Sequence, residues 1–181
     1  MKNFLILFLL ISCSGVQLKS EPNEIKPELL EVKSAQVAIN PIESRFEIVR
    51  ELPYFKEVVK VADCVMNLKD FQDEISKIES FGNTKETGEQ VKNTMLLPIK
   101  AKLRYYKNPN PWSSVTAYTV KDEVYFNSRK TRSLASNVNT AIHERIHVLG
   151  YKHVSSKNIG RDIDNAYMIG NMAEKYVGKC K

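Results

Sequence analysis

The sequence predicts a single mixed α+β domain, and three features of its hydrophobic pattern lead there. Apolar residues recur at helical spacing in two early stretches. The period then drops to two between Ile99 and Asn127. Helical spacing returns from Ser133 to near the C-terminus.

In chain order, the pattern becomes globular at about residue 43. After Pro53, the spacing of Phe55, Val58, Val59, Val61, Ala62 and Val65 predicts a first helix. Phe71, Ile75 and Ile78 share one face of a second. Gly82-Asn83 and Gly88 interrupt the chain before a short helix over 89–96. Ile99, Ala101, Leu103 and Tyr105 alternate with Lys100, Lys102 and Arg104, which predicts an exposed or edge-proximal strand. Asn108-Pro109-Asn110-Pro111 breaks the chain. Segments 115–120 and 123–127 then read as two strands joined by a polar turn at Lys121-Asp122. Leu134, Val138, Ala141, Ile142, Ile146 and Leu149 form the apolar side of a helix over 133–149, and a last helix covers 165–177.

A chain of 181 residues that is 43% hydrophobic can bury a sizeable core. Its formal charge of +6 comes from dispersed lysines without an aromatic-basic run. That argues against a nucleic-acid partner and for a solvated basic surface, attractive to anionic membranes or acidic substrates.

Lys2 followed by the apolar run 4–11 has the length of a signal peptide and is too short to span a bilayer. The run ends in Leu10-Ile11-Ser12-Cys13, which resembles the lipobox of bacterial lipoproteins. That resemblance implies a signal over 1–12, acylation of Cys13, a membrane partner through the lipid, and a tether over 13–42 containing Pro22, Pro27 and Pro41. An ordinary secretory signal is the other reading. Ser14 stands where an aspartate often marks inner-membrane retention, so outer-membrane display is expected. Cys64 and Cys180 remain in the exported chain. They form a disulfide or persist as two thiols.

The segment that carries chemistry runs from His143-Glu144 through His147 and Gly150 to His153. Residues four apart on a helix lie on one face, so His143 and His147 can aim at one point. Neutral imidazole suits zinc, and a catalytic site needs three protein ligands with one open position. Gly150 permits a left-handed backbone that ends the helix and lets His153 return. Glu144, next to the first ligand, is placed to act as general base. All three histidines of the chain occupy these positions.

The pattern HExxHxxGxxH resembles the zinc signature of the metzincin peptidases. The resemblance implies a zincin-like domain over 43–181, with a small mixed sheet over the active-site helix. It implies one zinc ion on His143, His147 and His153, with Glu144 as general base for the attack of zinc-bound water on a peptide bond. Peptide substrates in that group lie extended along an edge strand, here 124–127 or its neighbour. Met168 matches the methionine turn under the metal, a floor and not a ligand, or else is a core residue of the last helix. Astacins and serralysins carry tyrosine two residues after that methionine, where this chain has Gly170.

Other readings remain beside this one. Glu174 offers a third ligand of the glutamate-zincin kind. Asn158, Gly160, Asp162 and Asp164 are a weak calcium pattern that does not fit an EF-hand. Tyr151 and Tyr167 are oxyanion donors or packing residues, and Trp112 is core or cleft lining. The function alternatives are a non-catalytic zinc-binding envelope lipoprotein and a zinc hydrolase of a non-protein amide.

Overall fold

A mixed four-stranded sheet is packed against α-helices in the computed structural model, which describes residues 43–130, 132–153 and 163–180. The signal, Cys13, the tether, and the Asn158, Gly160 and Asp162 positions lie outside the described residues. The elements run β1 (Phe46–Ile48), α1 (Phe55–Asn67), α2 (Lys69–Ser76), α3 (Gly88–Met95), β2 (Ala101–Tyr106), β3 (Ala117–Val120), β4 (Glu123–Asn127), α4 (Leu134–Val148) and α5 (Asn165–Tyr176). A 3-10 turn over Val177–Cys180 follows. Mixed α+β is therefore the observed class.

The sheet order is β1-β2-β4-β3. The first two pairings are parallel and the last is antiparallel. The β3–β4 hairpin turns on Lys121, whose φ of 58° is the only positive value outside glycine among the described residues. β2 corrects the expectation of an edge-proximal strand, because it is paired on both sides, Leu103 lying beside Ile48 and Val124. Its alternation has a different origin. Ala101 and Leu103 are fully buried on one face. On the other face Lys102 and Arg104 pair with Asp122 and Glu123, which supports their charge at half-burial. Three-residue β1 has too little sequence to show a period, and its register with β2 is fixed only by the tertiary pairing.

Helix caps follow local chemistry. Thr87 and Gln90 form a capping box at α3, and the Ser133 hydroxyl accepts the Ser136 amide at α4. Gly88 is required at the α2–α3 junction, since a Cβ there would lie 2.0 Å from the Ile75 carbonyl oxygen. Phe55, Val58, Phe71, Leu103, Phe126, Val138, Ile142, Ile146 and Ile169 belong to one buried core. A disulfide joins Cys64 of α1 to Cys180, with Cα atoms 5.9 Å apart. It closes a sequence separation of 116 residues, which in the chain-entropy model stabilises by roughly 4–5 kcal/mol.

The largest wholly buried side chain is a charged one, Arg145, on the face of α4 that meets the sheet. Its Nη2 donates to the Met95 carbonyl at 3.2 Å and the Leu97 carbonyl at 2.8 Å. Its Nη1 donates to the Arg45 carbonyl at 3.3 Å and to Ile99. Burial, with the nearby Arg45 charge, pulls this guanidinium down to about 10, so it stays protonated at neutral pH. One side chain thus fastens α4 to the α3–β2 link and to the start of β1. Arg145→Met keeps the length but removes the guanidinium donors from these carbonyls, and should cost more than about 3 kcal/mol in urea unfolding.

Candidate metal centre

Helix α4 carries the first two histidines four residues apart, His143 buried and His147 half-buried. The helix ends in a Schellman arrangement. Gly150 NH donates to the His147 carbonyl at 3.0 Å and Tyr151 NH to the Ile146 carbonyl at 3.3 Å. Gly150 has φ 98°, a left-handed value for which glycine is suited. The reversal brings His153 beside the other two. His147 Nε2 lies 3.3 Å from His143 Nε2 and 3.0 Å from His153 Nε2.

The outward side of each ring is engaged. His147 Nδ1 donates to the Tyr151 carbonyl at 2.7 Å. His153 Nδ1 meets the Asp164 carboxylate at 3.0 Å. His143 makes a backbone hydrogen bond at Ala166. A nitrogen that donates outward leaves its ring partner as a lone pair. Lone pairs therefore face one another at 3.0 Å between His147 and His153. A cation resolves that conflict. Three nitrogens at 2.0–2.1 Å from a tetrahedral ion stand about 3.3 Å apart, close to the spacing here. The three histidines can hold a metal ion, and their ligand atoms all lie within 4.8 Å of one another. Burial, then the proximity of His147 and His153, pushes His143 down to about 4, which keeps it neutral and ready to ligate.

Glu144 is buried on the same helix turn, and its Oε2 accepts from the Thr119 hydroxyl at 2.7 Å. Burial raises its carboxyl above the ordinary range, opposed by the Thr119 hydrogen bond and the neighbouring His147 and His153. Thr119 belongs to β3, the antiparallel edge strand and the neighbour of 124–127. Two clefts, of about 480 and 740 Å³, open along β3, and Ala117, Glu144 and His153 line both. The His153 side chain is 45% exposed, which leaves the cluster accessible from one side.

Met168 lies within α5, half-buried against the core. The ring packed on the histidines is that of Tyr167, centred 4.6 Å from His143 and stacked on His153 at 4.9 Å. Gly170 explains the missing tyrosine. A Cβ there would lie 2.6 Å from Asn139 Oδ1, 3.1 Å from its carbonyl and 3.2 Å from the His143 Cβ. Helices α4 and α5 cross too closely for any side chain. Glu174 is exposed and accepts from Asn139 Nδ2 at 2.9 Å, apart from the histidine cluster. Tyr151 donates to Glu86, which occupies its hydroxyl. Trp112 is 90% exposed and belongs to neither core nor clefts.

Sequence reading missed Thr119, Asp164 as a histidine partner, and Asn83. Asn83 Nδ2 donates to the Lys152 carbonyl at 2.9 Å and to Asn165 Oδ1 at 2.6 Å, while its Oδ1 accepts the Asn165 amide at 3.0 Å. It therefore joins the segment bearing His153 to the segment bearing Asp164. The Gly82-Asn83 turn was visible, but its partners lie 69 and 82 residues away.

Two outcomes test this geometry. Asn83→Ala should weaken metal binding about 10- to 100-fold in competition with a chromogenic chelator, with the fold retained by circular dichroism. In the metal-free protein, His143 binds a proton more weakly folded than unfolded, so the unfolded chain takes up more protons as pH falls from 6.5 towards about 4. The contribution of His143 is complete above the unfolded value and is lost through that window. His143→Gln should flatten this part of the stability–pH profile. No protein-family model matches this chain, and comparison with curated proteins and with solved structures likewise finds no match.

Proposed function

We propose that this chain is a zinc-dependent metallopeptidase of the metzincin kind. The observation that carries the reading is the convergence of three histidine nitrogens, at 3.0 and 3.3 Å, within an HExxHxxGxxH segment. A small mixed sheet whose antiparallel edge strand runs beside the motif helix also supports it. Among the described residues the cluster has three members and no fourth, while Cys64 and Cys180 are bonded to each other. Such an open donor set suits catalysis better than a closed structural site.

Zinc held there would polarise a peptide carbonyl and make a water molecule a nucleophile near neutral pH. The remaining work falls to the chain. Glu144 takes the proton of the attacking water and delivers it to the leaving amine. The Thr119 hydroxyl fixes the orientation of that carboxylate from the sheet edge. Burial makes the carboxylate a stronger base than one in water. The backbone of β3, with no strand on its outer side among the described residues, aligns an extended substrate along the two clefts. Within the same reading an acylated Cys13 and the tether hold the domain outside the cytoplasm. The Cys64–Cys180 disulfide supports an oxidising setting.

The purified untagged protein should bind one zinc per chain by elemental analysis, and His153→Ala should lose it. Glu144→Gln should retain the zinc and lose at least about 100-fold in peptide hydrolysis. Absence of zinc after reconstitution would sink the metalloenzyme reading. Zinc without hydrolysis of any peptide pool would leave a non-catalytic binding protein or a hydrolase of another amide.

A further inference from the structure

The smaller cleft is lined mainly by polar side chains, and one fixed cation stands in its wall. On α4, Ser136, Thr140 and His143 share the face that lines it. At the mouth lies Arg132, just before the Ser133 cap. Its Nη2 donates to the Thr116 hydroxyl at 2.7 Å and its Nη1 to the Ser136 hydroxyl at 3.4 Å. Among the described residues no carboxylate lies within 4.0 Å of this guanidinium. Two hydroxyls thus orient the fork without neutralising it, and further N–H donors remain for an incoming group.

We infer that Arg132 makes this cleft a subsite for a substrate carboxylate. The inference rests on the peptidase reading and names its specificity. Guanidinium and carboxylate match in shape as well as charge, forming two parallel hydrogen bonds. The distance fits. Ser136 and His143 are seven residues apart on α4, roughly 10 Å of helix axis, the length of about three extended residues. A carboxylate within that span of the scissile bond reaches Arg132. It comes either from an aspartate or glutamate side chain or from the C-terminus of a short peptide. The basic balance of the chain favours the approach of such substrates.

The test uses the full-length zinc-loaded protein and peptides in matched pairs: Asp against Asn, Glu against Gln, and free against amidated C-termini. Cleavage is followed by mass spectrometry. At least about a tenfold preference for one carboxylate-bearing series is expected, a typical size for one charge-assisted contact. Sensitivity to Asp→Asn marks the side chain as the source, and sensitivity to amidation marks the chain end. Arg132→Ala should bring the ratio of kcat/KM within each matched pair to about one, and Arg132→Lys should restore part of the preference. Equal cleavage of the pairs would overturn the subsite and leave the peptidase reading intact. If no peptide is cut, the peptidase reading fails, and the subsite is judged by equilibrium binding of the same pairs to zinc-loaded Glu144→Gln protein. A tenfold difference removed by Arg132→Ala supports it, and equal affinities overturn it.

Discussion

A buried guanidinium is the constraint on which the arrangement depends. Arg145 stands inside the histidine motif, between Glu144 and the second histidine, and points away from the histidine cluster into the fold. It binds backbone carbonyls at Arg45, Met95, Leu97 and Ile99. Leu97 and Ile99 lie in irregular backbone, Met95 is the last residue of α3, and the Arg45 carbonyl also accepts the Ala101 amide at 2.9 Å. Irregular backbone is tolerated in the interior only when its polar groups find partners. The cation supplies them, and in doing so sets the distance between helix α4 and the sheet. Glu144, the residue preceding Arg145 on α4, meets Thr119 of β3.

The candidate metal centre is an arrangement of ring nitrogens whose outward hydrogen bonds come from three different places. A carbonyl just past the helix end holds His147, the backbone at the start of α5 holds His143, and the cap of α5 holds His153. Asp164 serves twice, since its Oδ1 also accepts the Ala166 amide that begins α5. Fixing a helix start and fixing a ligand are therefore the same act. The close α4–α5 crossing at Gly170 makes this possible, because a wider crossing would carry the α5 cap away from His153. Tyr167 covers the rings from below, a role for which the family resemblance offers Met168.

The site opens onto solvent in graded fashion, from buried His143 through half-buried His147 to exposed His153. The two clefts meet at Glu144 with different linings. Hydroxyls, amides and Arg132 face one, while Tyr118, Val148 and Tyr151 face the other. Under the proposed peptidase reading, a substrate lying across both would meet a different lining on each side, and specificity can arise from that asymmetry.

Much of this was legible in the chain. The histidine spacing, Gly150 and the adjacent Glu144 are local features, governed by the helical repeat and by a single left-handed residue. The helix over 133–149 and the strands near 115–127 follow from periods of 3.6 and 2 within one segment. What the sequence determined by itself was thus confined to features whose partners lie within a few residues. The tertiary structure alone decided that β2 is interior, that Thr119 meets Glu144, that Asn83 braces the third histidine, and that Gly170 stands where two helices touch. These contacts join residues 25 to more than 80 positions apart. No local periodicity records such a pairing, because it is set by how packed elements meet and not by the propensity of either one.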